Sequence, residues 1–135
     1  MKIKLGIPPV KTILGTRLKI EYGDHNSHFE SILPRYGTII RQLQAEHNVK
    51  DWFLLKLEEP FDYQIRSEDS FTLEYLHCEH ILIRSRWKGH RVGDTEPTSV
   101  FILLIRDEDH LRKEPIQVEK FYHAAWGTSY TIGAE

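Results

Sequence analysis

The chain has 135 residues, of which 40% are hydrophobic, and a net charge of −2 at pH 7. This length predicts a single domain over residues 1–135, and the apolar content excludes a disordered chain. The longest apolar run, residues 100–105, is far shorter than the roughly 20 residues that a membrane-spanning helix needs, so we expect no membrane partner. The one cysteine cannot form an internal disulfide, which favours a cytoplasmic location.

Composition favours β-strands over helices. Ile, Val, Thr and aromatic residues, which suit a half-buried sheet, are frequent, whereas Ala, the best helix former, occurs only at four positions. In chain order, the first strand is predicted within residues 12–22, where apolar and charged residues alternate. Residues 36–44 and 52–58 form the second and third runs, and residues 46–51 between them are typical of a hairpin turn.

The next predicted strands are longer and more apolar. Residues 71–76 and 79–88 form an extended stretch, with a break expected near His77 or Cys78. Residues 99–106 are apolar at successive positions, which predicts a central strand that is covered on both faces.

The last predicted strands complete an all-β fold. Residues 116–126 alternate again, and residues 129–132 are predicted to pair as a short final strand. Helix competes with strand over residues 39–47, where Gln-Leu-Gln-Ala-Glu follows Thr-Ile-Ile. We therefore expect a small antiparallel barrel or sandwich of roughly six to eight strands, with at most one short helix.

Charge is unevenly distributed along the chain. Residues 1–20 contain five basic and no acidic residues, and residues 58–79 contain seven acidic residues and one arginine. Residues 80–93 contain four lysines or arginines and no acidic residue. Pairing between neighbouring strands would neutralise these charges, each exposed pair contributing a fraction of a kcal/mol. Separate basic and acidic faces would instead favour association of two copies.

A basic strand is the sharpest local pattern. Arg84, Arg86 and Lys88 are predicted to project from one face, spaced about 6.6–7 Å apart. Such a row could follow the phosphates of a single nucleic-acid strand or another polyanion. Trp87 is predicted on the opposite face, so an aromatic residue from elsewhere would have to stack on the bases, namely Tyr36, Tyr122 or Trp126.

A polar loop, residues 89–98, follows the basic strand. It carries His90, Arg91, Asp94 and Glu96, and loops on a rigid sheet often carry binding or catalytic groups. The loop is equally typical of a solvated, glycine-punctuated turn.

Histidines and the cysteine form a second candidate cluster. Imidazole and thiolate are natural ligands of zinc and similar divalent transition metals. In an extended segment 77–80, Cys78 and His80 would share one face, and His77 and Glu79 the other. Surface histidines with Cys78 as a small buried apolar residue are the alternative. The candidate metal ligands are His25, His28, His77, Cys78, His80 and His123.

The chain contains no Gly-x-Ser-x-Gly, phosphate-binding glycine loop, His-Glu-x-x-His or Cys-x-x-Cys motif. We therefore expect a non-catalytic binding or protein-interaction module, whose partner is another protein or a second copy in a homodimer. A metal-dependent enzyme that uses the His/Cys cluster is the alternative, and binding of single-stranded nucleic acid or polyanion is a second alternative. The candidate binding residues are Arg84, Arg86, Lys88, His90, Arg91 and Trp126.

Overall fold

The six strands of the protein form a closed antiparallel β-barrel. The computed structural model describes residues 13–21, 28–45, 50–66, 71–87, 91–93 and 97–132. The strands are β1 (Arg17–Glu21), β2 (Arg35–Leu43), β3 (Trp52–Arg66), β4 (Leu73–Ser85), β5 (Thr98–Leu104) and β6 (Tyr122–Thr131). Short 3-10 turns are formed by His28–Ile32, Glu108–Leu111 and Val118–Lys120. The all-β prediction is confirmed, and the barrel rather than the sandwich is formed.

None of these short turns is long and apolar enough to cross a membrane, among the residues that the structure describes.

Consecutive strands pair in order, and pairing of β1 with β6 closes the barrel. Leu18 of β1 lies between Gly37 of β2 and Thr131 of β6. A Cβ atom at Gly37 would lie 3.0 Å from the carbonyl oxygen of Lys56, so the strands approach here more closely than a side chain allows. Closure gives each strand a neighbour on both sides and removes the open edges of the sheet.

Alternate residues of the strands fill the barrel interior. On β3, Phe53, Leu55 and Leu57 are buried there, and on β4 they meet Ile81 and Ile83. The same buried cluster contains Leu18, Ile20, Phe29, Ile39, Phe61, Ile65, Leu76, Cys78, Val92, Val100, Ile102 and Leu104. Removal of this apolar surface from water is the main stabilising contribution to the barrel.

A second core lies on the outside of the barrel, beneath the segment 105–121. Trp52, Leu54, Leu82 and Leu103 point outward from β3, β4 and β5 and are buried under this segment. The remaining members of this core are Leu43, Ala45, Ile105, Leu111, Ile116 and Phe121. Three strands are therefore apolar on both faces over part of their length.

The covering segment includes residues that the sequence assigns to a strand. The alternation over residues 116–126 predicts a strand, but β6 begins at Tyr122 and Val118–Lys120 forms a 3-10 turn. The N–H of Ile116 donates to the carbonyl oxygen of Gln44 at 2.8 Å, just after β2. The apolar residues before Tyr122 therefore cover the sheet instead of extending it.

Three other local predictions agree with the structure to different extents. Residues 39–43 of the segment 39–47 belong to β2, so strand prevails over helix there. β4 runs through His77 and Cys78 without the expected break. On β5, Leu103 is covered as predicted, whereas Phe101 on the same face is 41% exposed.

β3 and β4 continue past the residues that pair with their other neighbours, β2 and β5. Their pairing shifts between residues 56 and 61 of β3, where a bulge contains Pro60. Proline is tolerated at a bulge because the ladder of hydrogen bonds is interrupted there. Beyond the bulge, residues 61–66 and 73–78 continue the antiparallel pairing as a two-stranded ribbon.

Candidate binding surface

The candidate site lies on the outer face of β4, β5 and β6. Arg84 of β4 is paired with Phe101 of β5, which is paired with Trp126 of β6. The neighbouring Gly127 faces inward, since a Cβ atom there would lie 3.2 Å from Cδ1 of Ile102. Trp126 therefore points outward, and the three side chains form a row across the sheet.

A tight turn at the end of β4 adds two more residues to this row. The hydroxyl of Ser85 donates to the carbonyl oxygen of Trp87 at 2.9 Å and accepts from its N–H at 3.3 Å. The N–H of Arg86 still donates to the carbonyl oxygen of Ser99 on β5, at 2.9 Å. The turn takes Trp87 out of the strand alternation, so its ring lies beside Arg86 and not on the opposite face.

The guanidinium of Arg86 lies among three aromatic rings. Its Cζ atom is 4.5 Å from the ring centroid of Trp126 and 5.1 Å from that of Trp87. The centroid of Phe101 is 5.7 Å away, and Nη1 donates to Oγ of Ser99 at 3.3 Å. Each cation–π contact contributes about 0.5–1 kcal/mol at an exposed site. The cation and the rings thus restrain one another, although Trp87 remains 54% exposed.

Arg84 lies beside this cluster and has a carboxylate partner. Its Nε atom donates to Oδ2 of Asp51 at 3.0 Å, and its Cζ atom is 5.9 Å from the ring centroid of Trp52. This pair links the end of β4 to the start of β3. We name the whole surface the Arg86 surface; its members are Arg84, Arg86, Trp87, Phe101 and Trp126.

The structure brings together three of the predicted binding residues, namely Arg84, Arg86 and Trp126. Arg91 is exposed in the following loop, where its carbonyl oxygen accepts a hydrogen bond from Oγ1 of Thr98 at 3.1 Å. Lys88, His90 and the acidic residues of the loop lie outside the described residues. Alternation predicts the outward position of Arg84, whereas the row that it forms with Trp126 depends on the pairing of three strands.

Sequence reasoning missed Phe101 and misplaced Trp87. Phe101 belongs to the run 99–106, for which the sequence predicts cover on both faces. Its neighbours Val100 and Ile102 are buried in the barrel interior, so alternation places Phe101 on the outer side of the sheet. Its exposure depends on how far the segment 105–121 reaches, which alternation does not show. Trp87 was misplaced because β4 ends at Ser85, and no strong turn residue marks that end.

The candidate metal ligands on β4 face different surroundings. Cys78 is buried in the barrel interior, and burial raises the pKa of its thiol to about 11. His77 is exposed on the ribbon, where Nδ1 is hydrogen-bonded to Oδ1 of Asp62 at 2.8 Å and Nε2 is 3.4 Å from Oε2 of Glu79. His77 and Glu79 thus share a face as predicted, but His80 does not join Cys78, because the bulge shifts the alternation.

The other candidate ligands do not complete a cluster on β4. The Nδ1 atom of His80 is 4.0 Å from Oε2 of Glu108, on the outside of the barrel. His123 is exposed on β6. His25 and the side chain of His28 lie outside what the structure describes. Within the described part of the chain, no group of three or more His, Cys, Asp or Glu side chains is arranged to hold a metal ion.

Cross-strand pairing neutralises part of the uneven charge. Arg17 of β1 forms a two-bond pair with Glu58 of β3, in which Nη2 donates to Oε1 at 3.0 Å. The Nη2 atom of Arg106 is 3.7 Å from Oε1 of Glu74. These pairs join basic groups to the acidic stretch 58–79, but not between adjacent strands, because β2 lies between β1 and β3 and Arg106 follows the end of β5.

Comparison with known proteins adds no family to this description. No protein-family model matches the chain, and no curated protein or solved structure is significantly similar to it. What the protein does is therefore inferred from the Arg86 surface itself.

Proposed function

We propose that this protein is a non-catalytic binding module and that its Arg86 surface binds a protein partner. The observation that supports this function is the guanidinium of Arg86 held 4.5–5.7 Å from three ring centroids on an outer sheet face. Tryptophan, phenylalanine and arginine are enriched in protein interfaces, and Trp and Arg supply a large share of binding energy. A pre-arranged cluster also loses little side-chain entropy on binding.

The charge pattern of the surface favours a protein over a nucleic acid. A phosphate chain needs successive cations that face solvent. Here Arg84 is bonded to Asp51, whose carboxylate would repel phosphate, so Arg84 and Arg86 do not form a row of two free cations. A protein partner can offer both the apolar contact and one or two carboxylates.

Affinity capture with the full chain as bait tests this function. We expect a partner that the wild type retains and that Arg86→Glu loses, because the substitution reverses the charge and removes the cation from the rings. Trp87→Ala, at an exposed ring, is the second variant and should also weaken capture. Arg112→Glu is the matched control, since Arg112 is an exposed arginine on the covering segment.

Circular dichroism establishes that each bait is folded, and isothermal titration with the purified partner measures the affinity. A partner set that is identical for all four baits would contradict a role for the Arg86 surface. Loss of capture by Arg112→Glu as well would show that charge alone, and not this surface, determines binding.

Single-stranded nucleic acid is the second candidate ligand, and one observation favours it. The turn at Ser85 places the ring of Trp87 beside Arg86, on the side where stacking would be needed. Fluorescence anisotropy with a labelled oligothymidylate tests this candidate. Binding at low salt that falls steeply as salt rises and is lost in Trp87→Ala would support it. No binding at low salt would eliminate it.

A further inference from the structure

A second exposed surface lies on the ribbon at the other end of β4. Phe71, just before β4, is 89% exposed, and Leu73 and Tyr75 are 50% and 72% exposed. Alternation places Leu73 and Tyr75 on one face of β4, and Phe71 lies two residues before them in the chain. Soluble monomers rarely expose several large apolar side chains next to one another, and where they do, the patch often marks an interaction site.

Carboxylates border this apolar stripe. Asp62 and Glu79 are exposed on the same outer face, one on each side of His77. They belong to the stretch 58–79, the most acidic part of the chain. We name Asp62, Phe71, Leu73, Tyr75 and Glu79 the ribbon surface.

The two surfaces are complementary in chemistry. The Arg86 surface presents an arginine among aromatic rings, and the ribbon surface presents aromatic and aliphatic side chains with carboxylates beside them. Opposite charge on two patches of this kind steers association and fixes the orientation of the partner.

The two surfaces lie at opposite ends of the outer side of β4. Tyr75 and Arg84 are separated by about 30 Å of strand at 3.3 Å per residue, and between them Leu82 is buried under the segment 105–121. The ribbon surface of one copy would therefore meet the Arg86 surface of another in a head-to-tail contact between two different patches.

We propose that the partner of the Arg86 surface is a second copy of this chain, which contributes its ribbon surface. This inference rests on the proposed binding function and names its partner. Aromatic contacts supply the affinity, and the pairing of Arg86 with Asp62 and Glu79 of the second copy sets the register.

Charge reversal in sedimentation experiments on the full chain tests the pairing. The variants are Arg86→Glu, the ribbon reversal Asp62→Lys with Glu79→Lys, and the combination of all three substitutions. We expect each reversal alone to weaken self-association about tenfold or more, and the combination to recover part of it, because the opposed charges are then exchanged. Arg112→Glu and Glu119→Lys are matched controls at exposed positions outside both surfaces.

Tyr75→Ala gives a readout that does not depend on charge. Its side chain is largely exposed, so the fold should persist while self-association weakens. Circular dichroism of each variant verifies that the barrel is intact.

The outcomes separate this inference from the proposed function. A wild-type chain that stays monomeric at every concentration overturns the inference, whereas capture of a different protein through Arg86 would leave the binding function standing. If Arg86→Glu weakens self-association but the ribbon reversal does not, the ribbon surface is not what binds the Arg86 surface, and the inference is overturned. If neither reversal weakens self-association, the pairing of the two surfaces is overturned. If, in addition, no partner depends on Arg86, the proposed binding function is overturned as well.

Discussion

Cys78 presents its thiol to the barrel interior, with Sγ 3.8 Å from the carbonyl oxygen of Leu76. Burial raises the thiol pKa from 9.0 to about 11, so very little thiolate is present at pH 8. We expect the folded protein to react slowly with an aromatic disulfide reagent at pH 8 and the urea-unfolded protein to react rapidly. Equal rates for the two states would contradict the burial of this thiol.

The same shift affects stability at high pH. A raised pKa means that the folded state favours the protonated thiol, so this contribution is complete below pH 9 and is lost as pH rises toward 11. Urea unfolding of wild type and Cys78→Ala between pH 8 and 11 measures it. Stability should fall more steeply with pH in the wild type than in the variant.

His77 lies on the exposed ribbon between two carboxylates, Asp62 and Glu79. The hydrogen bond to Asp62 raises its pKa above the ordinary 6.5, and the charges of Asp62 and Glu79 add to this effect. Stabilisation by protonated His77 is therefore present below pH 6.5 and fades as pH rises through the higher folded-state pKa. In an NMR titration, Asp62→Asn should lower the pKa of His77, whereas Asp109→Asn, on the covering segment, should leave it unchanged. An unchanged pKa in Asp62→Asn would show that the bond does not form in solution.

Single residues show where prediction from sequence succeeds and fails. Strand alternation predicts that Arg84 points outward, and in the structure Arg84 lies in one row with Phe101 and Trp126 of the next strands. Trp87 was misplaced because a two-residue hydrogen-bonded turn at Ser85 ends the alternation. Such a turn depends on one hydroxyl, and a single serine does not by itself mark the end of a strand.

At the scale of elements, the segment 105–121 acts as a cover for the outer face of the sheet. Leu111 is 4% exposed within it and packs in the same core as Leu82 and Leu103. We expect Leu111→Ala to reduce the free energy of unfolding by about 2–5 kcal/mol, because it leaves a cavity. Leu73→Ala, at a half-exposed position, should change it by about 0.5 kcal/mol or less. Urea titrations of both variants make the comparison, and equal losses would contradict the role of the cover.

The strands themselves were largely predictable, but their ends and the cover were not. The runs 36–44 and 52–58 fall within or beside β2 and β3 because period-two alternation reflects a sheet with one wet face. Residues 116–121 carry the same alternation but lie across the sheet, held by the bond from Ile116 to Gln44. The alternation of apolar and polar residues along the sequence shows which side chains will be buried, but it does not show which surface they pack against.

At the scale of the whole molecule, closure of the barrel joins the two ends of the described chain. Leu18 pairs with Thr131, so the pairing that closes the barrel spans almost the whole sequence. Non-local pairings slow folding, and we expect refolding on the millisecond-to-second scale. Stopped-flow refolding monitored by tryptophan fluorescence measures this rate. Complete refolding within microseconds would contradict a closure-limited mechanism.

The all-β fold class could be predicted from composition, whereas the choice between a barrel and a sandwich could not. Frequent Ile, Val, Thr and aromatic residues already exclude a helical bundle. Closure depends on the pairing of β1 with β6 and on the narrow gap at Gly37, both of which are long-range features. One glycine in a predicted strand does not indicate which strand lies next to it.

The two cores share one wall, and this sharing constrains how the sequence can change over evolution. On β5, Leu103 belongs to the outer core, while its neighbours Ile102 and Leu104 belong to the inner one. A substitution that shifts this strand to repair one core disturbs the packing of the other. We therefore expect homologous sequences to vary more freely along β1, whose outer face lies outside both cores and the Arg86 surface, than along the central part of β3, β4 and β5.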